Sequence, residues 1–185
     1  MKNQEIEVRF LEIDKEQIIE KLLKLGATDL GEDFLREIIF TDKGNTYPSQ
    51  GKVIRIRQTK NGSTLTFKHH FENSVTGATE IEFEIGDINK ACDFLEAVDL
   101  KFARTQEKKR HSFKLKNVTL DIDEWPTIPA YIELEGESEQ DLKEVAKLLD
   151  LDWGKVILEN AKIVIEKYYK IPVTSLTKFT FDVIE

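Results

Sequence analysis

The chain has 185 residues, of which 40% are hydrophobic and 34% are charged. This composition excludes a disordered chain, and no apolar run approaches the roughly 20 residues that a membrane-spanning helix needs. The net charge of -8 gives no electrostatic reason to expect a nucleic acid or an anionic membrane as a partner.

The single cysteine, Cys92, cannot form an internal disulfide, and no secretory signal pattern opens the sequence. We therefore expect a cytoplasmic protein, with Cys92 buried and inert in a helix. The length predicts a single domain over residues 1–185.

Alternation of apolar with polar residues, rich in β-branched and aromatic side chains, predicts eight strands. They lie near residues 3–11, 33–41, 52–60, 63–71, 78–86, 101–116, 117–124 and 130–137. The turn KNG at 60–62 favours a hairpin, because Asn and Gly tolerate positive φ. Eight strands joined mostly by short turns predict an antiparallel sheet that can close into a barrel.

Four segments with a helical period interrupt the strands. The first, DKEQIIEKLLKLGA, begins at the candidate N-cap Asp14 and stops at Gly26. The next two begin at Asp87 and Ser138, WGKVILENAKIVIEKYYK predicts a longer helix over 153–170, and LTKFTFDVI predicts a terminal strand. Because each helix has one apolar stripe to bury, we expect an α+β fold with the helices packed outside the barrel.

Charged residues alternate with the apolar residues on seven of the predicted strands. Strand by strand they are Glu5, Glu7 and Arg9; Arg55 and Arg57; Lys68; Glu80, Glu82 and Glu84; Lys108 and Arg110; Asp121 and Asp123; Glu133 and Glu135. An exposed charged face is the alternative interpretation for any one strand. Seven strands with the same pattern favour a charged lumen, since successive side chains of a strand point to opposite faces.

A lumen with this composition suits a metal ion and a polyphosphate. Crowded carboxylates raise one another's pKa unless bases or a cation offset their charge. Clustered Glu and Asp without His or Cys suit hard cations, Mg²⁺ or Mn²⁺, rather than zinc. Arginine forks bind phosphate oxygens in pairs, lysines add point charges, and a metal bridges adjacent phosphates.

The ordered set of charged motifs resembles the CYTH family of triphosphate tunnel metalloenzymes, which includes class IV adenylyl cyclases, thiamine triphosphatases and inorganic triphosphatases. The motifs are Glu-x-Glu-x-base at 5–9, Arg-x-Arg at 55–57, Lys68, Glu-x-Glu at 80–82, Lys-x-Arg at 108–110, Asp123 and Glu-x-Glu at 133–135. The resemblance runs from about residue 3 to about residue 137, and the ordered set is specific although one Glu-x-Glu alone is not.

The resemblance implies an eight-stranded antiparallel barrel that forms a tunnel around a triphosphate, and it implies three sets of site residues. The substrate-binding set is Arg9, Arg55, Arg57, Lys68, Lys108 and Arg110. The metal-binding set is Glu5, Glu7, Glu80, Glu82, Asp123, Glu133 and Glu135, and the catalytic set is Glu5, Glu7 and Arg9. Asp121 and Glu84 match the alternation but not the family's motif, so we expect them at the rim or in solvent.

One residue departs from the family's pattern. The opening motif of the family usually ends in Lys, whereas this chain has Arg9. Arginine keeps the charge, but it cannot lose a proton or act as a compact point charge. This departure makes binding a safer expectation than turnover.

Three functions remain open at this stage, beside a fourth hypothesis of a purely structural barrel, which would need the inward charges to be exposed. The leading hypothesis is a metal-dependent phosphohydrolase of tripolyphosphate, a nucleoside triphosphate or thiamine triphosphate. A class IV adenylyl cyclase is the alternative, which the loop DEWPTIP at 123–129 favours, and a non-catalytic triphosphate-binding module is the third. The expected partner is a small-molecule triphosphate; an RNA 5′-triphosphate end and a homodimer stay open.

Overall fold

The computed structural model describes residues 6–70 and 78–185, and only the backbone of His70 and Ala78. In chain order the elements are β1 (Ile6–Phe10), α1 (Lys15–Lys24), β2 (Thr28–Asp42), β3 (Lys52–Thr59), β4 (Gly62–His70), β5 (Ala78–Ile85), α2 (Ile88–Ala97), β6 (Leu100–Leu115), β7 (Val118–Glu124), β8 (Tyr131–Gly136), α3 (Glu139–Leu148), α4 (Ala161–Tyr168) and β9 (Lys178–Phe179). Short 3₁₀ turns lie at Trp153–Lys155 and Val173–Ser175.

The chain divides into two compact units. The first unit consists of the described residues up to Asp33 together with Lys109–Lys170, and the second consists of Phe34–Lys108 and Ile171–Glu185. The long strands β2 and β6 each contribute residues to both units.

The first unit is an antiparallel sheet covered on one face by helices. Its strands follow the order β1-β8-β7-β6. Val8 pairs with Leu134, and Leu134 pairs with Leu120, so the apolar residues of successive strands lie side by side on one face. Leu22 of α1 and Leu142 of α3 pack on this face and are fully buried. The sheet therefore buries its apolar side and leaves its charged side opposite the helices.

Side-chain caps fix where these helices begin. Asp14 accepts a hydrogen bond from the backbone N–H of Gln17, and Ser138 accepts one from the backbone N–H of Asp141. Such caps satisfy N–H groups that the first helical turn leaves without partners, and each contributes about 1 kcal/mol. Gly26 follows α1 at a φ of 77°, a backbone conformation that costs a glycine little.

The second unit has a smaller core on the sheet β2-β3-β4-β5, whose strands are all antiparallel. Phe40, Ile56 and Leu95 form its buried centre, with α2 supplying Leu95. Ile81 and Phe83 of β5 are more than half exposed. Ile85 of the same strand packs against the core, so the cover of β5 is confined to its end.

Most of the predicted elements are confirmed. The fold is α+β, with eight antiparallel strands and with α1, α2 and α3 at their predicted positions. Strand β2 begins at Thr28, five residues before its predicted start near 33, and the terminal strand β9 has only two residues and runs parallel to β6.

The long helix predicted over 153–170 is wrong. Ile157 exchanges two backbone hydrogen bonds of 2.9 Å with Arg9, so the chain is extended at this point. Helix α4 starts only after Asn160, whose side chain accepts a hydrogen bond from the N–H of Ile163. A contact with a strand about 150 positions away thus interrupts a locally favourable helix.

Cys92 is half-buried rather than fully buried, and burial raises the pKa of its thiol. Within residues 6–70 and 78–185, no helix has the length and hydropathy required to cross a bilayer.

Two adjacent leucines of α1 test the packing of the first unit. Leu22 is fully buried, whereas Leu23 is 52% exposed. Truncating a buried leucine removes transfer free energy and leaves a cavity, so we expect Leu22→Ala to lower the free energy of unfolding by about 2–5 kcal/mol. Leu23→Ala should change it by about 0.5 kcal/mol or less. Urea denaturation of both variants checks this, and equal effects would contradict the position of α1.

Candidate functional site

On the charged side of the first unit, the pairing register places charged residues of neighbouring strands opposite one another. Glu7 lies directly opposite Glu135, and Arg9 directly opposite Glu133, on β1 and β8. On β7, Asp121 lies directly opposite Glu133. Since residues directly opposite one another have Cβ atoms about 5 Å apart, these charges must interact.

Arg9 is a buried cation with three acceptors. Its Nε donates to Oε1 of Glu133 at 2.7 Å, one terminal nitrogen donates to Glu7 at 2.5 Å, and the other donates to the carbonyl oxygen of Glu159 at 2.6 Å. Burial would lower the pKa of Arg9, but Glu133 and Glu7 outweigh it and raise the pKa above its ordinary value. Arg9 is therefore a permanent cation held between the two carboxylates.

Arg110 is held in the same way on β6. It donates to both oxygens of Asp123, at 2.7 and 2.6 Å, to Oε2 of Glu133 at 2.7 Å, and also to Asp121. The side chain of Asp123 is fully buried, so this two-point contact is shielded from water. Glu133 consequently accepts from Arg110 with one oxygen and from Arg9 with the other.

These residues form a group that we call the acid cluster. Its members among the described residues are Glu7, Arg9, Arg110, Asp121, Asp123, Glu133 and Glu135. The acid cluster thus contains five carboxylates and two arginines. The surplus of negative charge suits a cation as a further ligand.

Tyr131 adjoins the acid cluster and was not predicted. It pairs with Asp123 in the sheet, is fully buried, and its hydroxyl accepts a 2.8 Å hydrogen bond from the indole N–H of Trp125. Burial, reinforced by Glu133 and Asp123, raises the pKa of Tyr131 well above its ordinary value. The Trp125 turn therefore fixes a neutral phenol beside the buried acids.

A second set of charges is built around Glu37 in the second unit. Glu37 lies directly opposite Arg57, whose Nε and one terminal nitrogen contact Glu37 Oε1 at 2.8 and 2.7 Å. Arg55 approaches the same oxygen at 3.5 Å. The other oxygen accepts a 2.6 Å hydrogen bond from the amide of Gln106, whose own oxygen accepts from Arg104 at 2.7 Å.

The side chain of Glu37 is only 3% exposed, yet it is ionised. Burial alone would raise the pKa of Glu37, but attraction to Arg57, Arg55 and Lys108 outweighs burial and holds the pKa well below its usual range.

We call this group the base cluster, and its members are Glu37, Arg55, Arg57, Arg104, Gln106 and Lys108. The cluster contains four bases and one acid, and a second acid, Glu80, lies 3.9 Å from Arg55 at its edge. The surplus of positive charge suits an anion.

Two further contacts flank the base cluster on β4 and β5. Lys68 contacts Glu80 at 3.1 Å, and the Thr66 hydroxyl donates to Glu82 at 2.6 Å. Burial would raise the pKa of Glu80, but Lys68 and then Arg55 outweigh it and lower the pKa. Within the second unit, Glu80 and Glu82 thus contact polar and basic groups.

The predicted site residues fall into these two units. The first unit holds Glu7, Arg9, Arg110, Asp123, Glu133 and Glu135, and the second holds Arg55, Arg57, Lys68, Glu80, Glu82 and Lys108. Glu5 lies outside the described residues. Glu84 is exposed as predicted, but Asp121 is only 9% exposed, which corrects the prediction of a rim or solvated residue. The contacts from Arg110 and from the Ser112 hydroxyl explain its burial.

Sequence reasoning missed Glu37, Arg104 and Gln106. Arg104, Gln106 and Lys108 are two residues apart on one predicted strand, so their common face could have been predicted from the sequence. Glu37 gave a weaker signal, because Leu35 and Ile39 on either side of it in the alternation are apolar and predict a core position.

The carboxylates of the acid cluster have the chemistry that Mg²⁺ and Mn²⁺ prefer, and they outnumber the arginines. Across the described part of the chain, however, no three acids, histidines or cysteines converge as a set of metal ligands. Arg9 and Arg110 lie between the acids and take up both oxygens of Glu133. The acid cluster thus supplies donors of the type and charge that a divalent cation takes, and Glu7 and Glu135, which face each other on β1 and β8, lie outside the Arg110 contacts.

Each unit thus combines an antiparallel sheet with a charged cluster, which is acid-rich in the first unit and base-rich in the second. The chain matches the CYTH domain family over residues 3–167 and belongs to it.

Individual relatives agree with this family. The chain is 25% identical over 147 residues to a candidate adenylate cyclase of Methanocaldococcus jannaschii, a match that covers 79% of this chain and 83% of that protein. A conserved hypothetical protein of Pyrococcus furiosus superposes with a TM-score of 0.71 and 27% identity, over 85% of this chain and 97% of that one.

A candidate adenylyl cyclase of Hippeastrum, described as revealing a dominant triphosphatase activity, superposes with a TM-score of 0.63. At 16% identity, over 89% of this chain and 95% of that one, it shows the likeness of the fold.

Two neighbouring acids on β7 test the pairing of Arg110. Asp123→Ala leaves the guanidinium of Arg110 without its two-point partner, and removing one partner of a buried ion pair costs about 3–5 kcal/mol. We therefore expect a large loss in the free energy of unfolding by chemical denaturation.

Glu124→Ala is the matched control, because Glu124 contacts Lys15 in a partly exposed pair that contributes about 1 kcal/mol or less. Similar losses from the two variants would contradict the buried Arg110–Asp123 contact.

Proposed function

We propose that this protein binds the triphosphate group of a small molecule and hydrolyses it as a metal-dependent phosphohydrolase. The observation that carries the proposal is the separation of charge. The base cluster has four bases against one acid, and the acid cluster has five carboxylates against two arginines. The base cluster suits phosphate oxygens, and the acid cluster suits a divalent cation, the two kinds of group that metal-dependent phosphoryl transfer requires.

The base cluster supports phosphate binding through Arg57 and Arg55. Their side chains are 17% and 20% exposed, so each side chain is partly accessible. Arg57 contacts Glu37 through two of its three nitrogens and retains its third for a further acceptor. Lys108 adds a point charge, and Lys68 extends the basic surface along β4.

In the first unit Glu7, Glu133 and Glu135 would hold a divalent cation, Mg²⁺ or Mn²⁺, with Asp123 as a further candidate. Within the second unit, Glu80 and Glu82 are separate candidates for a metal contact. When bound, such an ion neutralises phosphate charge and lowers the pKa of a bound water. Arg9 and Arg110 each contact one oxygen of Glu133, so Glu133 would reach the cation through the second lone pair of an oxygen. Glu5, although outside the described residues, remains a proposed member of this set.

The contacts of Arg9 favour a holding role over direct phosphate binding. All three of its guanidinium nitrogens donate to protein acceptors, and its side chain is 4% exposed. We propose that Arg9 fixes Glu7 and Glu133 relative to each other. This role needs the planar fork of arginine, which a lysine ammonium cannot reproduce.

A class IV adenylyl cyclase is the second candidate. It is favoured by the relative in Methanocaldococcus jannaschii, whose name refers to an adenylate cyclase. The two reactions differ in the nucleophile: water attacks the terminal phosphorus in hydrolysis, whereas a ribose hydroxyl attacks the α-phosphorus in cyclisation. The Hippeastrum protein, described as having a dominant triphosphatase activity, shows that such a name and hydrolysis are compatible.

The deciding experiment incubates the protein with tripolyphosphate or ATP in the presence of Mg²⁺ or Mn²⁺. Orthophosphate, diphosphate and cyclic AMP are assayed in parallel. Orthophosphate release supports the hydrolase, and diphosphate together with cyclic AMP identifies the cyclase. Binding of tripolyphosphate without any product would overturn both reactions and identify a binding module.

Arg57→Ala tests the base cluster directly. Loss of a charged hydrogen bond costs about 1.5–3 kcal/mol, so we expect tripolyphosphate to bind roughly ten- to a hundredfold more weakly in titration calorimetry. Lys90→Ala is the charge-matched control, because Lys90 is an 85% exposed base of the same unit. Its affinity should stay within about twofold of wild type. Equal effects of the two variants would count against a local phosphate contact at Arg57.

A further inference from the structure

Glu37 is an acid placed at the centre of a cluster that is otherwise basic. An anion site assembled for charge alone would leave this position neutral, since a buried carboxylate repels a phosphate. Its contacts are instead those of a structural support, because its two oxygens contact Arg57, Arg55 and Gln106.

We propose that Glu37 is a positioning residue for triphosphate binding, which holds Arg57 and Arg55 in the geometry that phosphate oxygens require. The proposal rests on the proposed function, because it concerns the same base cluster.

The first support is the geometry of the Arg57 contact. Glu37 and Arg57 are directly paired on β2 and β3, and the carboxylate contacts Nε and one terminal nitrogen at 2.8 and 2.7 Å. Contacts at both Nε and one terminal nitrogen fix the plane and the direction of the guanidinium, and the other terminal nitrogen is left for another acceptor. Fixing the side chain in advance removes part of the ordering cost of binding.

The second support is that Glu37 is itself held from the opposite side. Gln106 on β6 donates to Oε2 of Glu37, and Arg104 donates to the oxygen of Gln106. The amide of Gln106 is thereby oriented with its N–H₂ toward the acid, and all three side chains are at most 8% exposed. The result is a buried chain of hydrogen bonds that runs from β6 through β2 to the arginines of β3.

The sign of one mutational effect separates positioning from simple electrostatics. Glu37→Gln removes a negative charge beside the proposed phosphate site, so electrostatics alone predicts tighter binding of an anion. Positioning predicts weaker binding, because the amide cannot offer Arg57 the same ionised acceptor. We expect tripolyphosphate to bind at least about fivefold more weakly.

Glu84→Gln is the matched control. It makes the same chemical change on β5 of the same unit, but Glu84 is exposed and lies outside the base cluster. We expect this variant to bind tripolyphosphate as tightly as wild type or slightly more tightly. Gln106→Ala is the second test variant, because it removes a support of Glu37 without changing any charge, and it should also weaken binding.

Titration calorimetry with tripolyphosphate, with EDTA and again with Mg²⁺, measures these affinities, and thermal unfolding confirms that each variant is folded. Weaker binding by folded Glu37→Gln and Gln106→Ala, with Glu84→Gln unaffected, supports the proposal. Binding by folded Glu37→Gln that is as tight as wild type, or tighter, overturns it. If Glu37→Gln does not fold, Gln106→Ala decides by the same criterion.

A spectroscopic readout separates this inference from the proposed function. The Nε–H of Arg57 should give a resolved, slowly exchanging signal in ¹⁵N-edited NMR of the wild type, since it donates to a buried carboxylate. Loss of that protection in Glu37→Gln supports the contact between Glu37 and Arg57, whether or not the wild type binds tripolyphosphate. Absence of tripolyphosphate binding by the wild type would overturn only the proposed function. An unchanged Arg57 signal in Glu37→Gln would overturn the positioning role whatever the affinities.

Discussion

Glu133 accepts a hydrogen bond from a different buried guanidinium with each of its oxygens, and the polar side of the first unit depends on this arrangement. A carboxylate that is 8% exposed would be strongly destabilising without such partners. Glu133 lies on β8; Arg9 reaches it from the neighbouring strand β1, and Arg110 reaches it from β6, across β7 on the other side. The ion pairs therefore tie four strands together on the side that the hydrophobic core does not reach.

A buried carboxylate that accepts from several donors also organises the second unit. There a single buried acid, Glu37, stands among bases and accepts from Arg57 and Gln106. In the base cluster the single acid, Glu37, is the most buried charged residue, whereas in the acid cluster the most buried is Asp123, an acid held by Arg110. The acid cluster keeps a net negative charge and the base cluster a net positive charge, and a ligand of opposite charge would offset each.

Strand alternation explains why much of this could be predicted from the sequence. Side chains two residues apart share a face, so Arg55 and Arg57, or Glu133 and Glu135, had to lie together. Pairing between strands could not be predicted in the same way. Glu37 gave no clear signal because its partner Arg57 is identified only by the register of β2 and β3. The break in the helix predicted over 153–170 likewise depends on a strand far away in the sequence.

Arginine at position 9 makes contacts that restrict the role of this residue. A lysine at this position would carry one ammonium group, which could leave a carboxylate to contact a phosphate. Arg9 instead donates through three nitrogens to three separate acceptors, one of them a main-chain carbonyl at Glu159. Moving it toward a ligand would leave Glu133 with one partner fewer and the carbonyl without this donor. The proposed phosphate recognition is therefore assigned to bases such as Arg57, which contacts Glu37 through only two of its three nitrogens.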